Sequence, residues 1–122
     1  MTFELEGETP SKKNSRIFLK NGMNIPSKRY SEWHKVASAD VVSQRYLQHM
    51  YKPLEGSVKI SVVFTHGDKR RRDSDNGLSS VLDLLVDTGV LADDNWNVVP
   101  QLEVVNKYEQ GAAKCSIEIK QL

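Results

Sequence analysis

The apolar residues Leu78, Val81, Leu82, Leu85 and Val86 fall at i, i+3, i+4, i+7 and i+8, and they constrain this chain more than any other feature. That spacing is one face of an α-helix and does not suit a strand, whose faces repeat every second residue. Gly89 stands where a left-handed residue ends such a helix. Asp75 or Asn76 stands where a side-chain oxygen caps its first turn. Immediately upstream run Lys69-Arg70-Arg71-Arg72 and then Asp73-Ser74-Asp75. A helix fixed here therefore gathers a cationic run and a pair of carboxylates at its N-terminal end.

The rest of the chain reads as alternating strands and helices. Phe3, Leu5 and Gly7 alternate with glutamates and predict a first strand. Thr9 to Arg16 is a polar, proline-initiated loop, and Ile17-Phe18-Leu19 is a short strand entering the turn Lys20-Asn21-Gly22. From Ser27, an N-cap residue, to about Met50 the pattern is helical, with Tyr30, Trp33, Ala37 and Val41 facing the core and Pro53 closing the segment. Residues 57–65 alternate cleanly and form the clearest strand. Residues 96–108 and 113–119 read as two strands around Glu109-Gln110-Gly111, expected to form a hairpin, with Trp96 expected to be buried. The order predicts an α+β (mixed α/β) fold, a single domain over residues 1–122 with a central mixed sheet and two main helices.

Composition narrows the function classes. A chain of 122 residues buries one core without staples. No stretch approaches the roughly 20 apolar residues of a membrane span. The start, Met1-Thr2-Phe3-Glu4-Leu5-Glu6, is acidic and alternating, unlike a signal peptide. Cys115 is alone, which leaves no intrachain disulfide and no cysteine zinc site, and His34, His49 and His66 lack metal-ligand spacing. A cytoplasmic protein is expected. The net charge of +1 hides an asymmetry: residues 1–72 carry 14 Lys/Arg against 7 Asp/Glu, and residues 73–122 carry 3 against 9. A basic half joined to an acidic half points to a polyanionic partner and a metal or acid–base site.

Asp73 and Asp75 supply the chemistry. In extended backbone, residues i and i+2 point the same way, so both carboxylates can face one cation. Mg²⁺ takes hard oxygen ligands, usually a few carboxylates with waters and substrate phosphate. Asp94 offers a third carboxylate, with Asp93 beside it as a further candidate ligand. Lys69, Arg70, Arg71 and Arg72 would neutralise phosphates, with Lys12, Lys13 and Arg16 as a second contact. Each feature alone also has a plain reading: an Asp-x-Asp as a helix cap, Asp93-Asp94-Asn95 as a turn, the basic run as a solvated face. Their order around one helix favours the chemical reading.

Arg72-Asp73-Ser74-Asp75-Asn76, Leu82-Asp83-x-Leu85, Thr88-Gly89-Val90 and Asp93-Asp94 together resemble the signature block of RusA-type Holliday junction resolvases. The similarity runs without a gap from Lys69 to Val99, and Thr9-Pro10-Ser11-Lys12-Lys13-Asn14 resembles that family's Pro-Ser segment. The resemblance implies a mixed α/β domain that dimerises and resolves four-way DNA junctions by paired phosphodiester hydrolysis, in a family often carried by phages and prophages. It implies that Asp73, Asp75 and Asp94 are the catalytic, metal-binding acids, with Mg²⁺ as cofactor and Mn²⁺ as a substitute. One departure stands out. Where the family carries a lysine in the first turn of the helix, this chain has Ser79, which motivates the alternative of a catalytically weak or inactive branched-DNA-binding protein. A second alternative is a small domain whose acids are only caps and turns.

Helix length adds a constraint. Residues 76–88 as a helix span about 20 Å, and the five residues from Gly89 to Asp94 reach back at most about 17 Å. Asp75 and Asp94 of one chain are therefore hard to join in one site. Two such helices antiparallel across a two-fold would join them, which predicts a homodimer with shared sites. The stripe from Leu78 to Val86 then serves either that interface or the chain's own core.

Overall fold

The computed structural model describes residues 1–12, 16–22 and 24–122, with the backbone alone at 16–18, 24 and 26. Period-two alternation marks the main strands β1 (Thr2–Glu6), β4 (Val58–His66) and β6 (Lys114–Gln121), whereas β5 (Gln101–Tyr108) is exposed on nearly every residue. The short strands β2 (Arg16–Phe18) and β3 (Asn24–Pro26) pair with each other, and β3 has no clear signal in the sequence. The helices are α1 (Lys28–Leu47) and α2 (Leu78–Asp87). The sheet order is β1-β6-β4-β5, with β4 antiparallel to β6 and parallel to β5. Phe3, Leu5, Ile60, Val62 and Ile117 from the strands pack with Ala37, Val41, Val81, Leu84 and Leu85 from the helices in one buried cluster. The α+β fold is the one the sequence predicts. Among the described residues no helix is long and apolar enough to cross a membrane.

Helix ends follow local chemistry. The Ser27 hydroxyl accepts from the Tyr30 amide at 3.2 Å and starts α1. The chain leaves α1 through His49, whose φ of +57° breaks the helical path ahead of Pro53. At the end of α2 the Gly89 amide bonds to the Val86 carbonyl (3.0 Å) and the Val90 amide to the Leu85 carbonyl (2.9 Å), with Gly89 at φ +75°. That pair of bonds is a Schellman motif, which satisfies carbonyls the helix end would orphan. Arg45 of α1 donates to the Thr88 carbonyl at 2.6 Å, clasping the two helices together.

Several expectations are corrected. β5 and β6 do not form a hairpin: they lie on opposite sides of β4. The Glu109–Gly111 segment instead crosses the end of β4, with the Glu109 amide on the His66 carbonyl and the Gly111 amide on the Gly67 carbonyl, each at 3.0 Å. β5 starts at Gln101 because residues 96–98 form a turn anchored by Asn95. Trp96 is 76% exposed rather than buried. Asn76 is not the cap of α2; Gly77 is, without a side-chain cap bond. A Cβ at residue 77 would stand 2.8 Å from Phe64 Cε1, so α2 has to enter over β4 on a glycine. The α2 stripe belongs to the chain's own core: Val81, Leu84 and Leu85 are fully buried, and Leu78, Leu82 and Val86 are half-buried.

Candidate active site

The acid pair sits on the loop from the C-terminal end of β4 to the start of α2. The Asp68 carboxylate accepts from the Arg70 amide (2.9 Å) and pairs with the Arg72 guanidinium (3.0 Å), which bends the chain just past the strand. These bonds, the Arg70 amide first, hold the Asp68 carboxyl below the usual carboxylate range. A turn then closes from the Asn76 amide to the Asp73 carbonyl at 3.0 Å, and the Leu78 amide bonds to the Asp75 carbonyl at 3.0 Å. Asp73 and Asp75 emerge exposed at the N-terminus of α2, where unpaired helical amides favour negative charge.

Asp73 and Asp75 line one cleft of about 360 Å³ with Ser11, Asn76, Ser79 and Leu82. Ser11 reaches it because the Ser80 hydroxyl, fully buried on α2, donates to the Pro10 carbonyl (2.7 Å) and accepts from the Lys12 amide (3.0 Å). Asp73 also lines a second cleft, with Arg29, Arg70, Arg71, Arg72 and Glu8. The two carboxylates and the cationic wall are thus adjacent.

The expected cations divide by role. Arg70 and Arg71 are exposed. Arg72 is largely enclosed by Glu8 and Asp68 and acts as a brace. Lys69 lies over the Tyr108 ring, 4.9 Å from its centroid. Lys12 forms an ion pair with Asp83 on α2. Lys13 and the Arg16 side chain lie outside the described residues.

Asp94 is elsewhere in the chain. It follows the end of α2, in a turn where its amide bonds to the Asp93 carboxylate (2.7 Å) and Asn95 Nδ2 donates to the same group (3.1 Å). Partial burial, then the charges of Asp83 and Asp93, push its carboxyl above the usual range. Neither Asp73 nor Asp75 contributes to that shift. Among the described residues no three His, Cys, Asp or Glu side chains converge closely enough to hold a metal ion. One chain therefore brings together Asp73 and Asp75 and leaves Asp94 with Asp83.

Sequence reading missed a network beneath the loop. His66, the last residue of β4, has Nδ1 at 2.9 Å from Glu8 Oε2 and Nε2 at 2.9 Å from Asn106 Oδ1. Asn106 Nδ2 donates to the Ser74 carbonyl at 2.8 Å, between the two acids. Glu8 also accepts from the Gly67 amide at 3.1 Å and meets Arg72. Arg29 was missed as well; it is carried to the cationic wall by the first turn of α1. No spacing rule links residues this far apart in sequence.

The family model described as Endodeoxyribonuclease RusA matches residues 6–120. No curated protein matches the chain.

Proposed function

This chain belongs to the RusA endodeoxyribonuclease family, and from that premise we propose that it is a Mg²⁺-dependent endodeoxyribonuclease that resolves four-way DNA junctions by paired cuts, acting as a homodimer. The observation that carries this reading is the Asp73–Asp75 pair in a cleft that meets an arginine-lined wall through Asp73. Two exposed carboxylates fit Mg²⁺, which usually takes one or two from a protein and completes its shell with water and substrate phosphate. Asp73 and Asp75 would hold the ion, Asp94 would add a donor, and Mn²⁺ would substitute. When bound, the ion supplies Lewis-acid polarisation of the phosphodiester and charge for the leaving oxygen.

The chain's own residues do the rest. Arg70, Arg71 and Arg29 grip phosphates on either side of the scissile bond, a contact that positions the backbone without reading sequence. Arg72, held by Glu8 and Asp68, keeps the loop in shape. Asn106 fixes the Ser74 carbonyl, so the two flanking carboxylates keep their relative orientation.

A synthetic four-way junction tests this reading. Gel shift in Ca²⁺ should detect binding, and Mg²⁺ or Mn²⁺ should yield symmetric cuts that Asp73→Asn abolishes. Binding without cuts would select the second reading, a branched-DNA binder with weak or no cleavage. Ser79 favours that alternative: it lines the acid cleft where related chains carry a lysine, and among the described residues no cation lines that cleft.

A further inference from the structure

The loop that carries the acids has a cationic cleft on each side. The arginine-lined one, of about 420 Å³, is reached by Arg29 and Arg71. On the β5 side lies another of about 290 Å³, lined by Lys69, Lys107 and Tyr108 together with Asn106 and Ser74. Arg70, Arg72 and Asp73 line both. Residues 70–73 are therefore a ridge between two clefts, and Asp73 stands where they meet.

The β5-side cleft is held in shape by its own contacts. β5 runs parallel to β4, which sets Lys107 and Tyr108 beside Thr65 and His66, where the loop begins. Asn106 Nδ2 ties the strand to the loop at the Ser74 carbonyl (2.8 Å). Lys69 Nζ lies 4.9 Å from the centroid of the Tyr108 ring, a cation–π contact that orients the ring, and Tyr108 remains 42% exposed. Four Lys/Arg and two Asp side chains line the cleft, which leaves it positive.

We infer that the β5-side cleft takes a single strand leaving a branch point, with Tyr108 stacked on its first unpaired base and Lys69 and Lys107 on its phosphates. The inference rests on the DNA reading above and adds to it a site for a second strand. Lysines alone would suit any phosphate backbone. The ring decides the class: stacking needs a base whose face is free, and the bases of an intact duplex already stack on one another. With the scissile strand along Arg29 and Arg71 and another along Lys107, the ridge fits between two strands that have separated. The fold thereby discriminates branched from linear DNA without reading a base edge.

Fluorescence-anisotropy titrations of the full chain in Ca²⁺ test this, on a four-way junction and on a linear duplex of one of its arms. Tyr108→Leu should weaken junction binding by roughly tenfold and leave duplex binding nearly unchanged. Tyr108→Phe keeps the ring and should bind like wild type. Lys107→Ala should reduce the salt slope of junction binding by about 1 and that of duplex binding not at all. Arg29→Ala, in the other cleft, should weaken both. Thermal melts check that each variant folds, and the Lys107→Ala slopes decide the matter if Tyr108→Leu does not. Equal losses on both DNAs, or no loss on either, would overturn the inference. A wild type that binds the junction without cutting it removes the cleavage reading alone, and these affinities still decide the strand site. A wild type with no affinity for either DNA would refute both.

Discussion

Asn106 donates to the Ser74 carbonyl across 2.8 Å, joining the exposed edge strand to the loop that carries Asp73 and Asp75. Its amide oxygen faces His66 Nε2, so the side chain is oriented from both ends. On the proposed reading, in which Asp73 and Asp75 hold the metal, removing a group that orients them changes activity by roughly 10–100-fold. Asn106→Ala should lower the rate of junction cleavage by about that factor while leaving the melting temperature nearly unchanged, because Asn106 is exposed. Asn106→Asp keeps the shape and loses the donor, and should behave like the alanine variant. Single-turnover cleavage alongside thermal melts checks both.

Gly77 fills a place that no larger residue fits. An added Cβ would meet Phe64 Cε1 at 2.8 Å and Thr9 Cγ2 at 3.1 Å, and Phe64 is buried and cannot swing aside. Gly77→Ala should cost about 1–3 kcal/mol, the usual range for overpacking. For a domain near this size that lowers the melting temperature by several degrees. Placed on a Phe64→Leu background the same change should cost less, and a double-mutant cycle reads the difference.

The Asp94 carboxyl is raised by desolvation first, by the Asp83 charge second, and then by Asp93. Asp83→Asn removes the second. The Asp94 titration should then fall toward, but not reach, the ordinary 3.8, because desolvation and Asp93 remain. Carboxyl-carbon NMR across an acid titration resolves this. An Asp94 that did not move would mean that the Asp83 charge is not felt there.

Burial pushes the Cys115 thiol from an ordinary 9.0 to about 12. Between those values the folded chain keeps a proton that the unfolded chain has released. Stability from this group is therefore constant below pH 9 and falls as pH rises toward 12, with a slope of at most about 1.4 kcal/mol per pH unit. Cys115→Ala should flatten the alkaline limb of a denaturation series. In the native state at pH 8 the thiol should resist alkylation and react only on unfolding.

Local features were legible from the sequence because their causes are local. The period of α2, the Ser27 cap, the Gly89 stop and the alternation of β4 each depend on residues a few positions apart. The adjacency of Asp73 and Asp75 was legible for the same reason. Alternation identifies a strand without naming its neighbour, so the apparent β5–β6 hairpin turned out to be two strands flanking β4. The helix cap was misread because the constraint at Gly77 is Phe64, thirteen positions upstream on β4. His66, Glu8 and Asn106 meet only after the sheet has formed, which no pattern of neighbouring residues records.

Among the described residues β1 pairs with no strand but β6, and β6 lies between it and β4. β1 is thus synthesised well before the strand that defines its place. Until β6 is made, Phe3 and Leu5 have no neighbouring strand to pair with. A stalled nascent chain lacking β6 would present β4 as a bare edge to whatever chaperone or neighbouring polypeptide is at hand.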